Sequence, residues 1–248
     1  MKKLCVIILI LGFWSCDTEN APDCIQTAGS IIQQDFTVDS FDKILINREI
    51  ELVISEGPNY EVTVETGENL LNDISVEVLD GRLVLTDNNT CNYVRDFGIT
   101  KVYVTTPTLT EIRCSTQYDI SSDGVLTFPT LRLISENFNE PDSFPIGDFK
   151  LNIQADNLRI GSNNLSFYYL EGQVENLVVN FFSGNGRFEG ENLIAQNISI
   201  FHRGSNDMIL NPQQSLTGSI RSTGNVISKN QPPTVEVEEV FTGRLIFE

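Results

Sequence analysis

Histidine occurs once in the 248 residues and tryptophan once. A catalytic arrangement built on imidazole would have to use His202, in "IFHRG", with a nucleophile and an acid brought to it. No G-x-S-x-G elbow is present, so His202 reads as a surface or corner histidine and no catalytic residue is assigned. No C-x-x-C pair occurs, which disfavours zinc, and nothing in the chain calls for a metal or cofactor. Basic residues are scarce: 16 Lys and Arg stand against 34 Asp and Glu, a formal net charge of -18. Such a charge repels phosphate backbones and anionic lipid headgroups alike. Nucleic acid is thereby set aside as a partner, and a membrane would have to be held by something other than surface charge. No stretch of ten or more residues has helical periodicity, and no apolar run reaches the roughly 20 residues that cross a bilayer.

What the chain does have begins at its start. Lys2 and Lys3 precede "LCVIILILGFW", Leu4 to Trp14, which is uncharged and fits the apolar region of a secretion signal. Ser15 and Cys16 follow at once, and the junction resembles the lipobox of bacterial lipoproteins. It departs from that box at Phe13 and Trp14, where Leu and a small residue are usual. On this resemblance residues 1–15 are a lipoprotein signal peptide and Cys16 is the lipidation site. Two or more acyl chains anchor a protein stably where one does not. The acidic residues just after it, Asp17, Glu19 and Asp23, resemble surface-export signals. The expected location is the cell envelope, as an outer-membrane lipoprotein displayed at the cell surface. Residues 16–40 read as a tether and 41–248 as a single domain.

Three cysteines remain once Cys5 and Cys16 are accounted for. Cys114, in "EIRCS", shares a face with Ile112 and reads as a buried free thiol. Cys24 and Cys91 lie in polar, loop-like surroundings, "APDCIQ" and "NNTCNYV". A disulfide between them would tie the N-terminal segment to the domain, but spacing alone leaves that pairing open.

From Phe41 onward the pattern is strand after strand. "FDKILINREIELVISEG" alternates, "GPN" turns it and "YEVTVETG" returns. "ISVEVLDGRLVLTD" is a hairpin signal, with Asp80-Gly81 at the two positive-φ positions of a type I′ turn. "ENLLND" suits one helical turn. After Thr106-Pro107 short apolar pairs recur with polar or Gly corners, starting at residues 112, 131, 158, 177, 198 and 220. Steps near 20 residues with no helix point to a β-solenoid, whose rungs stack inward Leu, Ile, Val and Phe into one core. A β-sandwich is the alternative, but its strands need not repeat one motif at one period. "TVEVEEVFTGRLIFE" at the C-terminus reads as a closing hairpin with an acidic face.

Taken together, "FDKILINREIELVISEG", "YEVTVETGENLLNDISVEVLDGRLVLT", "KVYVTTPTLTEI" and the later rungs with Ser, Gly and Asn corners resemble the head GIN domain family of Gram-negative autotransporter-type adhesins, over about Phe41 to Ser228. The resemblance implies a right-handed parallel β-helix, here with an N-terminal β-hairpin region, and carries no established catalytic residues.

Two arrangements remain as candidates for chemistry or binding. Asp119 with Asp123 and Glu189 with Glu191 are acidic pairs near corners, but chance pairs are expected in so acidic a chain, and the reading is a non-enzyme. If Leu165, Leu177 and Ile198 point inward, alternation sends Tyr168, Phe182 and Phe201 outward as an aromatic stripe across adjacent rungs. Such a stripe would stack on sugar rings or fill a partner's groove, unless the strands of 41–106 cover it. The function expected is a surface-displayed adhesion or glycan- or protein-binding module. A structural envelope protein without a small ligand is the main alternative, and a polysaccharide-acting enzyme the next.

Overall fold

The computed structural model describes residues 22–89, 91–138 and 141–248. The signal peptide, Cys16, Asp17 and Glu19 lie outside the described residues. Within them the fold is all-β. Seventeen strands make one hydrogen-bonded sheet, accompanied by two 3-10 turns, Asp23–Ile25 and Leu71–Asp73; the second is the turn read in "ENLLND".

The strands are β1 (Ile31–Phe36), β2 (Lys43–Ile46), β3 (Ile50–Glu56), β4 (Glu61–Gly67), β5 (Ile74–Leu79), β6 (Arg82–Asp87), β7 (Thr100–Thr106), β8 (Glu111–Cys114) and β9 (Ile120–Leu126). They continue with β10 (Thr130–Ser135), β11 (Phe149–Ser162), β12 (Phe167–Phe181), β13 (Arg187–His202), β14 (Met208–Ile220), β15 (Val226–Ser228), β16 (Thr234–Glu239) and β17 (Leu245–Phe247). Two parallel ladders organise them. One runs β6, β2, β8, β10, then the second halves of β11 to β14, then β16. The other runs β7, β3, β9, the first halves of β11 to β14, then β15 and β17. The four long strands belong to both ladders and bend between them. Antiparallel strands finish the N-terminal end: β5 on β6, β4 on β7, and β1 on β4.

Alternation explains the strands and fills the core. In β3, Ile50, Leu52 and Ile54 are buried and the residues between them are not, the pattern of a sheet with one face turned inward. Along the first ladder the pairing Leu131, Leu158, Leu177, Ile198, Leu216, Val235 puts apolar on apolar at every rung. The steps are 27, 19, 21, 18 and 19 residues. Two expected alignments shift. Ile112 pairs with Leu133 instead of Leu131. Ile198 pairs with Leu216, and Ile220 with His202, because register slips after Glu189 and after Ala195 shorten that step.

Several expectations are corrected. The "GPN" turn does not make a hairpin of β3 and β4. Both edges of β3 are taken by parallel partners, β7 and β9, so β4 pairs with β7 and β1 instead. The rungs are also not laid down in chain order at the start: β6 and β7 dock outside β2 and β3, and the chain then crosses back to continue with β8 and β9. The tether is not free up to residue 40, since β1 adds to the sheet. The C-terminal segment is not a hairpin: β16 and β17 pair with β14 and β15 and not with each other. Where local turn chemistry decides, the expectation holds. Asp80 and Gly81 take φ of 50° and 74° between the antiparallel β5 and β6, as a type I′ turn requires.

Polar groups inside the core fall into two kinds. Glu111 is buried and paired with Arg82 at 3.3 Å and Arg132 at 3.2 Å, while Arg113 reaches Glu136 at 3.1 Å. This network crosses the strands on either side of β2 and satisfies its charges where they are desolvated, without which burial would be costly. His202 is the opposite kind. It is fully buried, not at the surface, its ring lies edge-on to Phe181 at 6.0 Å, and neither ring nitrogen has a hydrogen-bond partner. Burial lowers its pKa from the usual 6.5, outweighing the nearby Asn206 backbone and Asp207, which favour the proton. His202 is thus neutral in the fold and charges more readily in the unfolded chain.

Two outcomes follow from this packing. Leu177 and Val179 are buried while Val178 between them is half-buried. Leu177→Ala should cost about 2–5 kcal/mol through lost burial and a cavity, whereas Val178→Ala should cost about 0.5 kcal/mol or less. Urea denaturation of the two variants checks this, and equal losses would refute the in/out register. For His202 the stability contribution is complete above the unfolded pKa of about 6.5 and is lost as pH falls below it towards the lower folded value. The denaturation midpoint of the wild type should therefore drop between pH 7 and pH 5 more steeply than that of His202→Leu. Parallel pH profiles would show that the ring is not buried neutral.

Candidate functional site

The long strands carry the site because they bend. Between β12 and β13 the pairing slips between Tyr169 and Gly172, and between β13 and β14 after Glu189. Gly172 sits at the bend with φ 113°, and a Cβ there would lie 2.2 Å from the Ile153 carbonyl oxygen. Only glycine tolerates both the angle and the approach. Outward residues at this bend line a groove of about 580 Å³ that runs across the rungs. Tyr169, 42% exposed, stands in register between Lys150 and Glu189 of the neighbouring rungs. Asn152 Nδ2 donates to Glu171 Oε1 at 3.0 Å across the rungs, and Glu191 and Asn192 complete the wall. Further along the same strands a second groove of about 310 Å³ is edged by Gln154, Gln173 and Gln196.

The electrostatics of the groove are acidic but tempered. Lys150 is paired with Asp119, which raises the lysine's pKa above its usual value, chiefly through that hydrogen bond. Glu189 is paired with Arg187, and Arg187 also lies 3.8 Å from Asp207. One carboxylate of each acidic pair considered from the sequence, Asp119 and Glu189, is thus engaged by a cation. Asp148, two residues before Lys150, is pushed up mainly by burial, although the Phe167 amide it accepts opposes this. Chemically the groove offers carboxylate acceptors, a lysine donor, amides that do both, and one aromatic face.

The expected aromatic stripe is partly corrected. Tyr168 is not outward: it is fully buried and stacked on Phe149 at 4.9 Å with planes 5° apart. Burial raises its pKa above the usual value of 10. The expected parity takes Leu165 as an inward residue, but Leu165 is a corner residue, 49% exposed. Alternation starts only at Phe167, where β12 begins, so Tyr168 falls inside and Tyr169 outside. Phe182 and Phe201 are on the outer surface, half-buried, with ring centroids 6.0 Å apart. Phe138 extends this ladder on one side, edge-on to Phe182 at 5.5 Å, and the Arg221 guanidinium lies 5.8 Å from the Phe201 ring on the other. The strands of 41–106 do not cover the ladder, since they build the N-terminal end of the stack.

The remaining singled-out residues take these places. Cys24 and Cys91 are disulfide-bonded, with Cα atoms 4.5 Å apart. Cys114 is a buried free thiol whose pKa burial pushes up to about 11. His202 is inside the core and touches no groove residue. Among the described residues no group of three or more His, Cys, Asp or Glu is placed to hold a metal ion, and no helix is long and apolar enough to cross a membrane. Reading the sequence missed Tyr169, Asn152, Glu171 and Phe138. The signal for the first three was the outward set between buried apolar residues in "FKLNIQ" and "YYLEGQ", legible only once the two segments are aligned on Leu151 and Leu170.

Residues 40–232 match the model of the family described as "Putative auto-transporter adhesin, head GIN domain". No curated protein matches the chain. Among solved structures, the chain is similar to a putative adhesin from Bacteroides fragilis, with 20% identity and TM-score 0.79, covering 90% of this chain and 99% of that one. It is similar to a putative adhesin from Parabacteroides distasonis with 15% identity and TM-score 0.65, covering 90% and 99%. A putative lipid binding protein from the same species gives 15% identity and TM-score 0.61, covering 88% and 97%. At these identities the structures establish the shared all-β fold, while the family match spans most of the chain and points to an adhesion-type protein of the cell surface or envelope, and to a non-enzyme. This chain belongs to the head GIN domain family.

Proposed function

We propose that the protein is an acyl-anchored adhesion module of the outer membrane, displayed at the cell surface, whose bent outer groove binds glycan. The single observation that supports this most directly is the alignment of Tyr169 with Lys150 and Glu189, and of Asn152 with Glu171 beside them, across three successive strands. A sugar ring presents an apolar C–H face and a rim of hydroxyls that donate and accept. The exposed tyrosine suits the face, and the mixed carboxylate, ammonium and amide groups suit the rim. The rung spacing of about 4.8 Å repeats these groups along the groove, which favours an extended chain over a single compact ligand. We read the ladders from β8 onward as successive turns of a right-handed parallel solenoid, the form that the family resemblance implies. Repeated parallel pairing at steps of 18 to 27 residues supports that reading. The anchor is Cys16, and the cation partners of Asp119 and Glu189 weigh against the polysaccharide-acting alternative.

Two measurements test the proposal. On a glycan array the mature protein should bind a subset of acidic-poor, extended glycans. Tyr169→Ala should weaken the best of them by about 1 kcal/mol, a factor of about five, with Glu171→Gln weakening it further. A flat array, or binding indifferent to Tyr169, would favour a structural envelope role without a small ligand. For the anchor, radiolabelled palmitate should enter the wild type in its native host and not Cys16→Ala; equal labelling of both rejects lipidation at Cys16.

A further inference from the structure

The loop between β6 and β7 carries the two most exposed large apolar side chains of the described residues, Tyr93 and Phe97. Tyr93 is 81% exposed, Val94 54% and Phe97 72%, and beside them Ile25 is 44% exposed on the Asp23–Ile25 turn. An apolar cluster of this kind on so acidic a protein calls for an occupant. The loop is also firmly held against the N-terminal segment. Cys91 is bonded to Cys24, the Tyr93 amide donates to the Cys24 carbonyl at 3.0 Å, and Arg95 turns inward to donate to the carbonyls of Asp23 at 2.7 Å, Gln26 at 3.3 Å and Cys91 at 3.0 Å. With Arg95 spent on backbone carbonyls, its neighbours Val94 and Phe97 are left on the outside.

We infer that Ile25, Tyr93, Val94 and Phe97 form a membrane-docking patch that dips into the interface of the bilayer to which Cys16 is attached. The inference rests on the acyl-anchor reading above. Only eight residue steps separate Cys16 from Cys24; fully extended they span at most about 28 Å. The disulfide therefore keeps this loop within that reach of the anchor. Tyrosine and phenylalanine with aliphatic neighbours suit the headgroup–acyl boundary, where an apolar ring body and a polar tip are both satisfied. The net charge of -18 argues that the contact is apolar and made with neutral lipid, since anionic headgroups would repel the surface. Docking would fix the stack upright with its N-terminal end at the membrane and the bent groove held away from it.

The test places a tryptophan at the patch. In the full chain carrying Trp14→Phe, Phe97→Trp becomes the sole tryptophan, and Phe247→Trp at the far end of the ladder is the control. The chain also carries Cys5→Ser and is coupled at Cys16 to a maleimide lipid, so the anchor is supplied whether or not the host acylates it. Cys24 and Cys91 are bonded and Cys114 is buried, which leaves Cys16 the reactive thiol. On phosphatidylcholine–phosphatidylethanolamine vesicles the Phe97→Trp emission should shift blue by several nanometres. It should lose more than half its intensity to lipids brominated along the acyl chain, with no change from low to high salt. The control should lose none. Quenching of Phe97→Trp no greater than that of the control overturns the inference. So does a blue shift that appears without vesicles and grows with protein concentration, which would assign the patch to a second copy of the chain. Mass spectrometry of the native protein decides the acyl reading separately, so the failure of one is not mistaken for failure of the other.

Discussion

The structure depends on one constraint: parallel strands stacked so that each inward side chain lies on an inward side chain of the next rung. Leu158, Leu177, Ile198 and Leu216 form one such column, and Ile160, Val179 and Ile200 run beside it. A single strand has too few neighbours to bury its apolar face, so its burial is completed by the strands paired on either side. The period of a strand is two residues, so a slip of one would turn the whole column outward. The outer surface inherits the same precision. Tyr169 meets Lys150 and Glu189, and Phe182 meets Phe201, only because the inner column fixes the register.

Irregularity in the ladder is confined to places where it serves shape. The slips near Gly172 and after Glu189 let β12 and β13 bend from one ladder into the other, and the larger groove lies at that bend. Corners are where buried polar groups accumulate. Ser135 and Ser166 share a hydrogen bond at 2.5 Å and both lie against the Pro145 carbonyl. His202 sits buried at another corner with only the nearby Asn206 backbone and Asp207 to favour its charged form, a cost carried by the packing around it. At the C-terminal end β16 and β17 each have one edge unpaired, and Glu236, Glu238 and Glu239 are exposed there, which discourages edge-to-edge association.

The two functional proposals occupy different parts of this frame. The groove belongs to the regular middle of the stack, where repetition presents similar groups at a fixed spacing. The apolar loop belongs to the N-terminal end, where the rungs are built out of chain order and a disulfide stitches the entering segment to the domain. The buried Glu111 network lies between them, with Arg82 of β6 reaching past β2 to Glu111 of β8. It joins the end that was added outward to the stack that grows the other way.

Period and turn chemistry are local, and the sequence determined what depends on them. Apolar alternation marked the strands, a recurrence near 20 residues matched the steps of the parallel pairing from β10 onward, and Asp80-Gly81 marked the hairpin of β5 and β6. Composition and the "FWSC" junction set the expectations for location. What the sequence left open is non-local. Whether β4 returns on β3 depends on which edges of β3 are already taken, and those partners, β7 and β9, lie far along the chain. Cys24 and Cys91 are 67 residues apart, and only the docking of β6 and β7 outside β2 and β3 brings them together. The parity of Tyr168 and Tyr169 turned on where β12 begins after its corner, a single residue that no periodicity within the strand reveals. Strand identity is written in each segment; partner, edge and face are decided when distant segments compete for the same hydrogen bonds and the same buried volume.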